Sequence, residues 1–331
     1  MELFRLRVVG TAGSGKTQLA LGALRDAAEA GRRALYVCFN RPLADHLAQV
    51  APRESVVLTY HQLCDRILQS LGHKPDFTRA GVFQDLEERF ARARPGDAWR
   101  FDELIVDEGQ DFQPAWVAPL LALIPPHGRA WWLEDPMQNI YGRAFAPLPG
   151  WVTLHADTNY RSPRDILDTV NGLVGLERPI RPGSPLSGSD CEIVSYGSTA
   201  SLIDETRRAL NTCIRLGFKR SMIAVVTYRG REGSALTPFD ELGNFRLRKF
   251  TGEYDLVGSP CYTDGDVLLE TVFRFKGQSA PAVVFTEIDF ESLDENAVRR
   301  MFVGATRATM KLFLIVSERS AKALHDRIDA G

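Results

Sequence analysis

A two-domain α/β protein is predicted, each domain a mostly parallel sheet covered by helices. Three observations carry this. Short apolar strands alternate with helical stretches along the chain. A glycine-rich loop, Gly10–Thr17, lies between the first strand and the first helix. A second series of strands begins near Trp151, after the joint Pro147–Gly150. The 331 residues suffice for two domains of ordinary size, divided as 1–148 and 149–331.

The elements follow in order. Leu6–Val9 reads as a strand ending at Gly10. Lys16–Ala30 reads as a helix, with Leu19, Ala20, Ala23, Leu24, Ala27 and Ala28 on one face and Gly31 as its stop. Further strands are Ala34–Phe39, Val56–Tyr60, Leu104–Asp107 and Ala130–Leu133. The second series comprises Trp151–His155, Cys191–Tyr196, Met222–Thr227, Val267–Thr271, Ala282–Thr286 and Leu312–Val316. Pro163–Leu176, Ser201–Leu216 and Asn296–Thr309 read as helices, and Pro179–Gly188 as a loop.

Composition excludes several classes. Hydrophobic residues make up 44% and charged residues 25%, as in a soluble globular protein. No apolar run is long enough to span a bilayer, and the first ten residues lack the pattern of a secretory signal. The five cysteines form no CxxC pair, which argues for a reducing cytoplasm and against a disulfide frame or zinc site. Net charge is −2, so nucleic acid would have to be held by a local groove rather than by overall charge.

Gly10-Thr11-Ala12-Gly13-Ser14-Gly15-Lys16-Thr17 fits G-x-x-x-x-G-K-[ST] without mismatch, after a strand and at the start of a helix. Glycines let the backbone curl so that its N–H groups meet phosphate oxygens, and the helix N-terminus adds a favourable dipole. Lys16 is expected to reach the β- and γ-phosphates of ATP, and Thr17 to hold Mg²⁺. Glu103–Glu108 is an apolar strand ending in two carboxylates. By itself such a pair is usually a solvated loop. Behind a phosphate loop, Asp107 is expected to bind Mg²⁺ and Glu108 to act as general base on the attacking water.

The run Asp107-Glu108-Gly109-Gln110-Asp111 resembles motif II of the UvrD-like superfamily 1 helicases. Other segments follow in that family's order. Tyr36–Arg41 resembles motif Ia, and Leu58–Leu63 resembles the Thr-Phe-His segment. Glu134–Tyr141 resembles motif III, and Asn159-Tyr160-Arg161-Ser162 matches motif IV. Phe273–Gly277 resembles motif V, and Val303–Ala308 resembles motif VI. The resemblance implies two RecA-like domains with ATP between them. It implies that Gln138 senses the γ-phosphate or the water, and that Arg161 and Arg307 act as arginine fingers. A guanidinium suits the charge that spreads over the γ-phosphoryl oxygens. Gly277 and Gln278 would belong to the nucleotide site. Phe39, Asn40, Tyr60 and His61 would meet single-stranded nucleic acid, with DNA favoured over RNA although no residue in the sequence separates the two. The competing reading buries Phe39 and Tyr60 in the core.

Departures qualify the resemblance. The family's adenine-contacting glutamine precedes its phosphate loop. Here the loop arrives at residue 10, so either base recognition is relaxed or the chain is a piece of a longer protein. Phe273 replaces the motif V histidine, and Ser279 the glutamate that contacts ribose. Arg143, with Tyr141 and Phe145 nearby, takes the place of a base-stacking tryptophan, and arginine also stacks on bases. The segments where large relatives insert subdomains are short, so a bare motor core is expected. The wording of motif Ia is similar to cores attached to nuclease-related domains. Two alternatives to a motor stay open: a regulatory ATPase switch, and a module that binds ATP and a strand with little turnover. Phe245–Phe250 interleaves cations with aromatics and reads either as a strand-tracking surface or as a charged edge strand.

Overall fold

The structure is a computed structural model. It describes all residues except 1–3, 78, 80, 177, 188–190, 255–259 and 329–331. Two compact units appear. One comprises residues 1–11 and 15–156, the other residues 12–14 and 157–331.

The first unit runs β1 (Arg5–Gly10), α1 (Lys16–Glu29), β2 (Ala34–Cys38), α2 (Arg41–Val50), β3 (Val56–Thr59), α3 (Tyr60–Ser70), α4 (Val82–Arg92), β4 (Glu103–Val106), α5 (Pro114–Leu121), β5 (Arg129–Glu134) and β6 (Val152–Ala156). Its sheet has the order β3-β2-β4-β5-β1-β6, and every pair is parallel. Alternation along the strands builds two cores. Leu35, Val37, Leu104, Val106 and Trp132 face α3, α4 and α5. Ala34, Tyr36, Cys38, Ile105 and Leu133 face α1 and α2.

Two expectations shift here. Residues 152–156, expected to open the second series, pair in parallel with β1 instead. The free edge of β1 takes them, because β5 occupies its other side. Tyr60 starts α3 rather than ending β3. The reason is a capping box at Thr59, whose side chain accepts from Gln62 N while the Gln62 side chain accepts from Thr59 N.

The second unit runs β7 (Thr158–Asn159), α6 (Arg164–Val174), β8 (Arg181–Pro182), β9 (Cys191–Tyr196), α7 (Thr199–Arg215), β10 (Ile223–Thr227), β11 (Glu241–Leu242), β12 (Phe245–Tyr254), β13 (Pro260–Tyr262), β14 (Val267–Thr271), β15 (Ala280–Ile288), α8 (Glu295–Ala305), β16 (Ala308–Ser317) and α9 (Glu318–Ile328). The sheet order is β11-β12-β14-β10-β15-β16-β9, parallel except where β12 meets β11 and β13. Helix α7 covers one face through Leu202, Leu210 and Cys213, packed with Val225, Val284 and Ile315. Helices α6 and α8 pack together on the other. The expected loop 179–188 contains β8, which pairs with β7; residue 188 lies outside the described residues. β12 is not a bare edge strand, since β14 pairs with it in parallel and β11 and β13 in antiparallel fashion.

Asp289 ties the end of β15 to the start of α9. Its carboxylate accepts from Arg319 Nε at 2.6 Å, Ser317 Oγ at 2.7 Å and Arg229 at 2.7 Å. Hydrogen bonds from Arg319, then Ser317 and Arg229, hold its pKa down at about 2 against the opposing effect of burial. A carboxyl depressed by folding stabilises above its unfolded pKa, and that stabilisation is lost as the pH falls through the folded value. Asp289→Asn should therefore cost on the order of 1 kcal/mol at neutral pH. In urea denaturation the gap to the parent should close between about pH 4 and pH 2.

Candidate functional site

The phosphate loop joins β1 to α1. Gly13 and Gly15 have φ of 70° and 88°, left-handed values that let the chain turn sharply before the helix. Lys16 is buried, and its Nζ donates to Gly10 O at 2.8 Å and Thr11 O at 3.0 Å. Ala12 is buried, and the buried Ser14 Oγ has no hydrogen-bond partner. Thr17 Oγ1 donates to Asp107 Oδ2 at 3.2 Å, which brings helix α1 to the end of β4.

Asp107 and Glu108 are both buried. Burial first, and then the Glu108 charge, push the Asp107 pKa up to about 6; Tyr36 and Lys16 pull the other way. The Tyr36 hydroxyl donates to Asp107 Oδ2 at 2.9 Å. Burial and the Asp107 charge hold the Tyr36 phenol well above its ordinary pKa, so it remains a donor. Two crowded carboxylates with a hydroxyl beside them form a hard oxygen donor set that a small divalent cation would relieve. Glu108 itself sits at φ 56°, a left-handed conformation costly for a residue with a Cβ. Its backbone N–H donates to Asp107 Oδ1 at 2.9 Å, and its carboxylate accepts from Gln110 Nε2.

Gln110 links this pair to the end of β5. Its Oε1 accepts from Asp135 N at 2.8 Å. Asp135 in turn accepts from Gln138 Nε2 at 2.7 Å and lies 3.9 Å from Lys16 Nζ. Lys16, Thr17, Asp107, Glu108 and Gln138 are thus joined in one buried polar network within the first unit. Gly109 is required by space: a Cβ there would lie 2.2 Å from Trp132 Nε1. That indole donates to Glu134 Oε2 at 2.9 Å. Gly109→Ala should cost about 1–3 kcal/mol, read as a lower urea midpoint, because Trp132 must move.

In the second unit, Arg161 donates to Thr306 O at 2.7 Å, and its backbone N–H donates to Asn159 Oδ1 at 2.7 Å. Arg307 is buried, with Nε donating to Val303 O at 3.0 Å and a longer contact to Gln278 O at 3.5 Å. Gly277 turns the chain at φ 82°, and Gln278 Nε2 donates to Arg274 O at 3.1 Å. Arg161, Arg307, Gly277 and Gln278 are thereby gathered at one place in that unit.

The comparisons address both units. The AAA domain family matches residues 5–144, and the UvrD-like helicase C-terminal domain family matches residues 266–315. The DNA helicase II of Escherichia coli (strain K12) is 28% identical over 178 residues, covering 44% of this chain and 25% of that protein. The DNA helicase II of Salmonella typhimurium is 29% identical over 181 residues, with the same coverage. The chain is similar to UvrD-like helicases. The aligned part spans only about a quarter of those relatives' length. Among solved structures, an arterivirus nonstructural protein 10 helicase in complex with DNA has a TM-score of 0.47 and 14% identity, covering 97% of this chain and 63% of that one. Its crystal structure alone gives 0.47 and 16%, with coverages of 98% and 61%.

The expected strand contacts fare unequally. Tyr60 is buried, stacked on Trp116 with ring centroids 4.1 Å apart. It belongs to the core, which corrects the expectation of a surface contact: the helix start at Thr59 turns its ring inward. Asn40 caps α2, accepting from Leu43 N at 3.4 Å. Phe39 is half-buried, and the Arg143 guanidinium lies 4.4 Å from its ring centre. Tyr141 is exposed, 5.7 Å from the same guanidinium. His61 Nε2 bonds Glu87 Oε1 at 2.9 Å. Tyr36, Gln110 and Asp135 lie inside the recognised motifs without an assigned role from sequence. A polar residue in each motif is their sequence signal; their partners come from the fold. No helix among the described residues is long and apolar enough to cross a membrane.

Proposed function

We propose that this UvrD-like core hydrolyses ATP in response to single-stranded nucleic acid, DNA in preference to RNA, and works as a translocating motor. The observation that carries the proposal is the buried network from Thr17 and Asp107 through Glu108 and Gln110 to Asp135, Gln138 and Lys16. The loop from Gly10 to Thr17 holds the triphosphate, with Lys16 at the β- and γ-oxygens. Thr17 and Asp107 would hold Mg²⁺, which when bound would supply positive charge against the triphosphate. Glu108 takes the proton of the attacking water, and Gln138 orients it. Arg161 and Arg307 act as fingers on the γ-phosphoryl group, with Gly277 and Gln278 beside the nucleotide. Phe39, Arg143 and Tyr141 present a stacking surface to the strand.

ATPase rate with and without single-stranded DNA and RNA tests this. Severalfold stimulation supports a motor, and turnover indifferent to both polymers points to a regulatory switch. Ser279, in place of a ribose-binding carboxylate, favours the second reading of a module that binds ATP without turning it over. Binding without turnover would select it. Glu108→Gln should lower kcat by about 10²-fold with ATP affinity retained, since it removes the base and keeps the shape. An unchanged kcat would remove Glu108 from the chemistry. An attached nuclease-related domain finds no support in the names of the matched relatives.

A further inference from the structure

Helix α4 buries Val82, Leu86 and Phe90 on one face, spaced four residues apart. Phe83 lies off that face and is 52% exposed, and Phe77 in the preceding segment is 53% exposed. Isolated exposed aromatics are ordinary, but these continue a row. The Phe77 and Phe83 ring centres are 6.1 Å apart, Phe83 and His61 5.0 Å, and His61 and Phe39 5.9 Å. From Phe39 the row continues to Arg143 at 4.4 Å, and from Arg143 to Tyr141 at 5.7 Å. Glu87, on α4, fixes the row from beneath. One of its oxygens bonds His61 Nε2 at 2.9 Å, and the other accepts from Trp116 Nε1 at 3.1 Å.

We propose that Phe83 of α4 and Phe77 extend the strand-binding surface of the first unit, each stacking on a base of single-stranded nucleic acid. The proposal rests on the nucleic-acid reading above and adds two residues and a direction to it. Charge is compatible with a polyanion. Arg143 sits within the row, and α4 helps line a cavity where Lys74, Arg79 and Arg89 outnumber Asp76 and Asp85 by one charge, Asp85 pairing with Arg79 at 3.6 Å and Arg89 at 2.9 Å. A polyanion with flat bases satisfies both features. Base–aromatic stacking is sequence-tolerant, so the surface holds a strand without reading its sequence.

Fluorescence anisotropy with a labelled oligothymidylate of about 20 nucleotides, longer than a short binding site, tests the assignment. Phe77→Leu/Phe83→Leu keeps the apolar volume and removes the aromatic faces. Its Kd should rise about tenfold, while the melting temperature holds. Phe83→Trp should bind as tightly as the parent or more tightly. Parent-like affinity in the double leucine variant overturns the proposal. So does a double variant that changes the oligomeric state in sedimentation while binding the strand normally, which would make the row a contact between copies. A parent protein that binds no oligonucleotide overturns the nucleic-acid reading itself, a result distinct from a variant that merely matches its parent.

Discussion

Lys16→Ala should fold and should turn over ATP at less than about one-thousandth of the parent rate. Its ammonium is buried and held by the carbonyls of Gly10 and Thr11, 3.9 Å from the Asp135 carboxylate. Removing it takes one positive charge from the place where the β- and γ-oxygens would lie. It also takes away an interaction that lowers the Asp107 pKa. Asp107 in the variant should therefore protonate at higher pH, and its demand for Mg²⁺ should rise more at neutral than at alkaline pH. Measuring turnover against Mg²⁺ concentration at two pH values separates this from simple loss of fold. Parent-like turnover would place the nucleotide elsewhere.

Arg307→Lys should lower kcat by about 10³-fold while changing KM severalfold at most. Lysine is the informative substitution. Arg307 is buried and its Nε bonds Val303 O, so alanine would leave a cavity and confound catalysis with stability. Lysine keeps charge and most of the volume but lacks the planar fork that spans two oxygens of a phosphoryl group. If the finger assignment holds, the loss falls on the rate and ATP titration of the resting protein changes little. A loss confined to ATP affinity would make Arg307 a binding residue only. Arg161→Lys should behave in the same direction, since Arg161 is fixed on the Thr306 carbonyl next to Arg307.

Sequence and structure divide the account in a way that local chemistry explains. The loop Gly10–Thr17, the apolar strand ending at Asp107-Glu108, and the order of the motifs are contiguous stretches. Their strand, turn and helix signals sit within a few residues of one another, so the α/β class and the proposed nucleotide-site residues are legible without coordinates. One element departs from its sequence reading because a partner distant in the chain decides, and another because a local cap does. Strand 152–156 joins the first sheet because β1 offers it an edge. Tyr60 looks like the end of a strand until the Thr59–Gln62 cap turns it into α3 and onto Trp116.

The sequence alone determined the phosphate-loop pattern and the paired carboxylates proposed to meet a triphosphate and a divalent cation, because a cradle of eight contiguous residues is a local pattern. Only the tertiary structure decided how those residues are tied together. Tyr36 reaches Asp107, and Gln110 joins Glu108 to Asp135, across strands that lie far apart in the chain and side by side in the sheet. It also decided which aromatics face outward. The helical turn of α4 puts Val82, Leu86 and Phe90 in the core and Phe83, one residue beyond Val82, at the surface, and the place of His61 beside that ring depends on Glu87 reaching across from the same helix. Contacts of this kind depend on packing between elements, which no local pattern encodes.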